Sequence, residues 1–308
     1  MTLSYLNIPR FVTHKGVELS EVELSYELAG RPLGEAPIVL VCHALTGNSS
    51  VAGPNGWWAS LIGEGEAIDT NRYTILSFNI PGNCYDGRAL YEFDTFDVRD
   101  VARLFVGGIE QLGIKELEVV IGASLGGGLV WQIGTIIPNR CRHLIPIASH
   151  YRANDWLLAQ TEVQRLLLEG PAPLEHARIH GMLCYRTPRS LDHRFGGAKL
   201  EDGTPKVLDW LHYHGRVLSE RFQLHAYRVM TYLTSSIAVA EDAQGLRPLR
   251  DKVHIVSIDS DLLFPHYLAV ETAETMGASL HTIYSEHGHD AFLMAYDQLS
   301  KIIKEILA

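Results

Sequence analysis

The segment Gly122-Ala123-Ser124-Leu125-Gly126 places a serine between two glycines, after a β-branched run and before a stretch with helical character. This pattern is typical of a nucleophile elbow, a tight strand-to-helix turn that forces the serine into a strained backbone conformation. The residues two before and two after the serine must then lack a Cβ to avoid collision, and both are glycine. The pattern therefore predicts that Ser124 is a nucleophile.

Candidates for the groups that would activate this serine follow it along the chain. A serine hydroxyl is a weak nucleophile at neutral pH, so it needs an imidazole to take its proton and a carboxylate to orient that imidazole. In chains with this elbow, the acid comes after the serine and the histidine comes last. Asp259 and Asp261 directly follow one apolar run, and His287 and His289 follow the next one. Spacing alone leaves both choices open.

An oxyanion hole is the third requirement, because the negative oxygen that forms when serine attacks a carbonyl needs hydrogen-bond donors. One donor should be the backbone N–H of Leu125, at the start of the helix after the serine, where the helix dipole assists. The other is expected from the loop His43-Ala44-Leu45-Thr46-Gly47, after the first core strand. His43 precedes the serine, and we interpret it as a residue that shapes this loop through hydrogen bonds.

Apolar runs that alternate with helical patterns predict the elements that position these groups. The runs lie at 38–42, 74–78, 117–121, 143–147, 253–258 and 279–284. This alternation predicts an α/β-hydrolase fold, with a mostly parallel central sheet flanked by helices. Leucine-rich helical patterns without strands then predict an inserted helical cap, or lid. We predict a core domain of residues 1–148 and 236–308 and a cap domain of residues 149–235.

Composition narrows the class of protein. A chain of 308 residues with 46% hydrophobic residues can bury a large core, and its net charge of -10 is spread without a basic patch. Small-molecule substrates are therefore favoured over nucleic acid or an anionic membrane. There is neither a leader pattern nor an apolar run of about twenty residues, so we expect a soluble, cytoplasmic protein. Four dispersed cysteines without a C-x-x-C pair predict neither a disulfide framework nor a metal site.

Taken together, several motifs resemble the homoserine O-acetyltransferase family, the serine-dependent acyltransferases of methionine biosynthesis. The segments that carry the resemblance are His43–Gly47, Gly56–Trp58, Ala67–Tyr73, Cys84-Tyr85, the elbow, Ser260–Pro265 and Gly288–Leu293. The resemblance implies that Asp261 is the acid of the catalytic triad and His289 its base. It also implies that the amides of Leu45 and Leu125 form the oxyanion hole.

The same resemblance implies the substrates. Within the predicted cap, Arg178 and Tyr185 match family positions that line the substrate site, and Asp290 matches an acidic partner beside the catalytic histidine. An arginine can hold the carboxylate of homoserine through two parallel hydrogen bonds, and Asp290 could hold the ammonium group. Acetyl-CoA is then the acyl donor, no tightly bound cofactor is needed, and a homodimer through the cap helices is expected.

Other functions remain compatible with these residues. The same triad under a more open cap would use water, which would make the protein an esterase or a thioesterase. Within the acyltransferases, succinyl-CoA could replace acetyl-CoA, or serine could replace homoserine as the acceptor. A catalytically silent binding module is a further alternative, which the intact serine, acid and histidine argue against.

Overall fold

The structure is a computed structural model that describes residues 2–90 and 92–308; Met1 and Tyr91 lie outside the described residues. An eight-stranded sheet in the order β1-β2-β6-β3-β7-β8-β9-β10 forms its centre, and a separate pair, β4 and β5, lies outside it. The strands are β1 (Ser4–Val12), β2 (Glu18–Gly30), β3 (Ile38–Cys42), β4 (Ile62–Gly63), β5 (Ile68–Asp69), β6 (Thr74–Phe78), β7 (Leu117–Ala123), β8 (Cys141–Ile147), β9 (His254–Ile258) and β10 (Ser279–Ile283).

Helices cover the sheet and form an insertion between β8 and β9. They are α1 (Val98–Gln111), α2 (Leu125–Ile136), α3 (Asp155–Leu167), α4 (Pro173–Tyr185), α5 (Pro188–Phe195), α6 (Lys206–Arg221), α7 (Leu224–Ser235), α8 (His266–Met276) and α9 (Tyr296–Ile306). Asp97 begins α1 with a capping box, in which its side chain and that of Asp100 each accept a backbone N–H of the other.

The middle of the sheet is parallel and buried on both faces. Every residue of β3 and of β6 is buried, as expected for strands that have helices on both sides. Strands β3, β6, β7, β8, β9 and β10 run parallel, so their carboxyl ends meet at one edge. Loops at this edge are where parallel sheets bind ligands. The fold is the predicted α/β-hydrolase architecture.

Helices α3 to α7 form an insertion between β8 and β9 that runs from Asp155 to Ser235. Its two connecting segments pair with each other, since Ala153 N donates to Ile237 O at 2.7 Å and Val239 N donates to Tyr151 O at 2.9 Å. Inside the insertion, Leu168, Leu174, Ala177, Leu218 and Tyr227 form a hydrophobic cluster of their own. The helical insertion therefore has a small core and joins the sheet through a paired neck.

The amino-terminal hairpin of β1 and β2 was not predicted. These strands pair antiparallel with each other, and β2 pairs antiparallel with β6. A signal was present, because Val22, Leu24, Tyr26 and Leu28 alternate with polar residues at the period of a half-buried strand. The hairpin lies at the edge of the sheet, where polar side chains reach solvent.

Candidate active site

Ser124 lies on the turn that joins β7 to α2. Its backbone angles are φ 59° and ψ −123°, a strained conformation for a residue with a side chain. Two hydrogen bonds hold the turn: Ser124 N donates to Ile147 O at 2.9 Å, and Gly128 N donates to Ser124 O at 3.1 Å. The geometry is that of the predicted elbow.

The two flanking glycines leave no room for a larger residue. A Cβ on Gly126 would lie 2.1 Å from the carbonyl oxygen of Cys42, and one on Gly122 would lie 2.6 Å from Gly126 O. Because backbone atoms cannot yield as a flexible side chain does, the close approach of α2 to β3 depends on glycine at both positions.

Asp261 and His289 form a buried hydrogen-bonded pair. The imidazole Nδ1 lies 2.7 Å from Asp261 Oδ2, while Asp261 Oδ1 accepts the backbone N–H groups of Leu263 and Phe264 at 2.8 and 2.9 Å. A carboxylate can only accept hydrogen bonds, so Nδ1 carries the proton and Nε2 keeps its lone pair. Phe264 stacks on the ring with centroids 5.6 Å apart, which limits how the imidazole can turn.

The other two candidates left open by spacing take different positions. Asp259 accepts the backbone N–H of Ser285 at 2.9 Å. The Nδ1 atom of His287 lies 3.1 Å from the hydroxyl of Ser190 on the cap helix α5. The acid and the histidine that the structure brings together are thus the ones implied by the family resemblance, Asp261 and His289.

His43 fixes the loop that carries Leu45. Ile80 N donates to His43 Nε2 at 3.0 Å, so the proton is on Nδ1, which donates to Ala44 O at 2.8 Å. Burial lowers the pKa of this imidazole to about 4, which keeps it neutral at physiological pH. Its bonds agree with the interpretation of His43 as a residue that shapes the loop.

The same bonds set the direction of the Leu45 amide. Ala44 O also accepts the backbone N–H of Gly47 at 2.9 Å, so two donors lie on one side of the peptide that joins Ala44 to Leu45. The C=O and N–H of a trans peptide point in opposite directions, and the Leu45 N–H therefore points away from both. Leu125 is the first residue of α2, where an amide has no acceptor within the helix.

A cavity of about 450 Å³ brings the predicted site residues together. Its walls include six of the eight predicted residues, namely Ser124, His289, Leu45, Arg178, Tyr185 and Asp290. Asp261 lies outside these walls and is hydrogen-bonded to His289. Leu125 is fully buried next to Ser124. The nucleophile from the core and the side chains from the cap thus face a single space.

This cavity carries opposite charges, with Arg178 from the cap and Asp290 from the segment beside His289. The Arg178 guanidinium lies over the Tyr185 ring, 5.6 Å from its centroid. Burial raises the pKa of Asp290, while Arg178, His289 and Arg186 act in the opposite direction. Burial also raises the pKa of Tyr185 well above its ordinary value, so its hydroxyl keeps its proton and can donate a hydrogen bond. The cavity can therefore receive a molecule that carries both an anionic and a cationic group.

Two arginines near the site were not predicted as site residues. Arg221 lines the cavity from the end of α6. Burial and the nearby positive charge of Arg178 lower the pKa of its guanidinium. Arg186 is only 6% exposed and lies 3.8 Å from the Asp290 carboxylate. Arg186 directly follows Tyr185 in a motif already recognised, but nothing in the spacing indicates that its charge is buried.

Residues 2–90 and 92–308 contain neither a cluster of metal ligands nor a helix suited to span a membrane. No three histidine, cysteine, aspartate or glutamate side chains in those ranges gather as a metal ion would require. None of the helices described there has the length and apolar character to cross a membrane. All four cysteines are free.

Comparisons with known proteins agree with the geometry. Residues 37–171 match a family model described as an alpha/beta hydrolase fold. A solved structure of esterase E22 superposes with a TM-score of 0.88 over 100% of both chains at 18% identity, which shows the fold. A homoserine O-acetyltransferase from Staphylococcus aureus superposes with a TM-score of 0.84 over 99% of this chain and 95% of that one, at 25% identity.

Two relatives with similar sequences identify the family within this fold. The homoserine O-acetyltransferase of Symbiobacterium thermophilum is 34% identical over 96% of this chain and 91% of its own length. That of Chlorobium luteolum is 32% identical over the same shares of the two chains. These matches extend through the core strands and the helical insertion, and they confirm the resemblance found in the motifs. The chain therefore belongs to the homoserine O-acetyltransferase family, whose members have the α/β-hydrolase fold.

Proposed function

We propose that the protein is a homoserine O-acetyltransferase that moves an acetyl group from acetyl-CoA to the hydroxyl of L-homoserine through an acyl-Ser124 intermediate. The observation that carries the proposal is the shared cavity, in which Ser124 and His289 face Arg178, Tyr185 and Asp290. A nucleophile beside paired cationic and anionic side chains suits an acceptor that is itself an amino acid. Family membership supports the same activity.

In the first step, His289 Nε2 takes the proton of the Ser124 hydroxyl as the oxygen attacks the thioester carbonyl. Asp261 holds the imidazole in the required tautomer and stabilises the positive charge that develops on it. The N–H groups of Leu45 and Leu125 would receive the negative oxygen, and loss of one such donor costs about 100- to 1000-fold in rate. Collapse of the intermediate releases CoA, whose thiolate takes the proton from His289.

In the second step, homoserine replaces CoA. Arg178 would hold its carboxylate through two parallel hydrogen bonds, with the Tyr185 hydroxyl beside it, and Asp290 would hold its ammonium group. The homoserine hydroxyl gives its proton to His289 and attacks the acyl carbonyl. The bond to the Ser124 oxygen then breaks, His289 returns the proton to that oxygen, and O-acetylhomoserine is released. An oriented acceptor outcompetes water because its reaction has become effectively unimolecular. These steps use acetyl-CoA as a substrate and need no resident cofactor.

The test is the mass of the protein after brief exposure to acetyl-CoA. We expect an acetyl adduct on Ser124 that disappears when homoserine is added, with O-acetylhomoserine as the product, and no adduct on the S124A variant. Release of CoA that is unaffected by homoserine, without an acetylated amino acid, would identify an esterase or thioesterase instead. Parallel reactions with succinyl-CoA and with serine decide the acyl donor and the acceptor.

A matched pair of cap arginines tests the acceptor site. The R178M variant should raise the KM for homoserine by about 10- to 100-fold, the range expected for loss of a hydrogen bond between charged groups. The R165M variant is the control, because Arg165 on α3 forms exposed ion pairs with Glu162 on the same helix and with Glu169 just after it. Equal effects of the two substitutions on this KM would contradict the assignment of Arg178.

We also propose that the protein is a homodimer through its cap helices. These helices expose large apolar side chains, including Trp156, Leu158 and Leu166 on α3 and Leu208 on α6, and burial of such groups favours association. Light scattering after size exclusion should give about twice the 34.3 kDa of one chain, and the L166E variant should shift this toward the monomer. A monomer at every concentration would refute the dimer.

A cytoplasmic location is the last part of the proposal, because its proposed substrates, acetyl-CoA and homoserine, are metabolites of the cytoplasm. Fractionation of the native host followed by immunodetection would place most of the protein with the cytoplasmic fraction. Recovery mainly in a membrane or extracellular fraction would argue against it.

A further inference from the structure

Arg186 is a buried cation at the junction between the cap and the loop that carries His289. It directly follows α4 and is only 6% exposed. Burying a charged group costs several kcal/mol unless that group is paired and hydrogen-bonded. A guanidinium in this position is therefore expected to have specific partners.

Its partners belong to both sides of the junction. On the side of the catalytic histidine, Nη1 lies 3.8 Å from Asp290 Oδ2 and 3.2 Å from the sulfur of Met294. On the cap side, Nη2 donates to the Ser190 hydroxyl at 3.0 Å. The same hydroxyl lies 3.1 Å from Nδ1 of His287. One planar side chain thus connects the cap to the segment that runs from His287 through Asp290 to Met294.

The ionisation of the Asp290 carboxyl depends on the charges around it. The charged groups that face it are Arg178 in the second turn of α4, Arg186 directly after α4, His289 next to it in sequence, and Asp261 after β9. Burial and Asp261 raise the pKa of the Asp290 carboxyl, while the two arginines and His289 lower it. Arg178 is also needed for the acceptor carboxylate in the proposed function. Arg186 is buried behind Asp290 and does not line the cavity, so it can stabilise the carboxylate without competing for substrate.

We propose that Arg186 is a positioning residue that holds the Asp290 carboxylate, in its orientation and charge, for the ammonium group of an amino-acid acceptor. This inference rests on the proposed function, since it concerns the acceptor site of that reaction. It assigns to Arg186 an effect on the second step only. Acyl-enzyme formation from an uncharged ester should not require it.

The experiment compares R186M with the wild-type enzyme on three reactions. Transfer to homoserine should lose about 10- to 100-fold in kcat/KM, because the buried Asp290 carboxylate loses a cation 3.8 Å away that favours its charged form. Transfer to 4-hydroxybutanoate, which lacks the ammonium group, should change less than threefold. Hydrolysis of 4-nitrophenyl acetate, which needs only the triad and the oxyanion hole, should also change less than threefold.

The pH dependence of the two reactions distinguishes a positioning role of Arg186 from a purely structural one. Hydrolysis of 4-nitrophenyl acetate needs the triad but not Asp290, while transfer to homoserine also requires ionised Asp290. Without Arg186, the acidic limb of homoserine transfer should shift to higher pH, and the acidic limb of ester hydrolysis should stay in place. Equal shifts of both limbs, or no shift in either, would overturn the proposal.

Arg189, three residues further along the chain on α5, offers a matched control. It also lies 3.8 Å from a carboxylate, that of Glu286 just before His287, but its side chain is 87% exposed. R189M should leave all three reactions unchanged, because an exposed ion pair contributes little. If R189M impairs homoserine transfer as much as R186M does, the effect is a general loosening of the junction and the proposal is wrong.

A double-mutant cycle protects the test against misfolding. If R186M does not fold, R186K keeps the charge but loses the planar fork, and should reduce homoserine kcat/KM about fivefold. In the D290N background the same substitution should have almost no effect, since Arg186 is proposed to act through Asp290. A full effect in that background overturns the inference. If the wild-type enzyme itself does not acetylate homoserine, the proposed function fails instead, and the two failures are distinct.

Discussion

Replacing Asp261 with asparagine would reverse the hydrogen bond between this residue and His289. Asp261 Oδ1 accepts two backbone N–H groups, from Leu263 and Phe264, while Oδ2 faces Nδ1 of the imidazole. In the asparagine variant, the side-chain oxygen would stay with the two backbone donors. The amide NH₂ would then face His289 and donate to Nδ1, which puts the imidazole proton on Nε2.

That tautomer cannot accept the proton of Ser124. To recover the productive tautomer, the ring N–H would have to face the amide N–H of the asparagine, with two buried donors left unpaired at about 1–3 kcal/mol each. Turning the amide over would place its NH₂ against the backbone N–H groups of Leu263 and Phe264, which is no better. The negative charge that stabilises the imidazolium is lost as well. The inactive arrangement is therefore the stable one.

We expect kcat to fall by about 10³- to 10⁴-fold, which corresponds to about 4–5.5 kcal/mol of transition-state stabilisation. The same substitution in a serine-protease triad lowers kcat by about 10⁴-fold. Activity should not vanish, because the oxyanion hole and the substrate contacts remain. The KM for homoserine should change little, since Asp261 does not line the cavity.

The assay is the release of CoA from acetyl-CoA in the presence of homoserine, followed with a thiol reagent. Thermal unfolding of each variant establishes that the fold is kept. The D259N variant is the matched control, because Asp259 only accepts the Ser285 N–H and asparagine can do the same; its kcat should stay within about twofold of the wild type. A folded D261N enzyme that retains more than a tenth of the wild-type kcat would refute this reasoning.

Two further predictions concern stability. The G126A substitution should destabilise the protein by several kcal/mol or prevent folding, because the added Cβ would lie 2.1 Å from Cys42 O. G245A is the control, since its added Cβ would meet nothing closer than 3.8 Å. Equal midpoints of chemical unfolding for the two variants would contradict this prediction. Burial lowers the pKa values of His43 and His150 to about 4 in the folded state, so the unfolded chain binds more protons below pH 6.5. Stability should be complete above that pH and fall toward pH 4, by about 2.7 kcal/mol per pH unit for the two groups. Urea unfolding at several pH values measures this slope, which H150Q should reduce by about 1.4 kcal/mol per pH unit, and a flat profile would show that the histidines are not held neutral.

Local sequence patterns predicted much of the fold and of the catalytic chemistry. The elbow could be found from sequence because its requirement is local, a serine with glycine two positions away on each side. The parallel core strands were found because both of their faces are buried, which makes each a continuous apolar run. Strands β1 and β2 were missed because one face of an edge hairpin remains polar, and their alternation is weaker than a continuous run.

The choice among chemically similar neighbours depended on contacts between distant segments. Asp259 and Asp261 follow the same strand, yet only Asp261 meets His289, because the two backbone N–H groups after it aim its carboxylate at the ring. His287 and His289 differ in the same way, since His287 contacts Ser190 on α5 of the cap, whereas His289 contacts Asp261 in the core.

Residue types at short spacings were therefore enough to identify the nucleophile, the order of the catalytic groups and the α/β class. Contacts in three dimensions were needed to show that Asp261 and His289 meet, as the family resemblance implied, that His43 aims the Leu45 amide through Ala44, and that Arg186 is buried behind Asp290. The physical reason is that hydrogen bonding and burial depend on distances in space. Such distances join segments more than a hundred residues apart, as with Arg186 and Met294, and no local pattern encodes them.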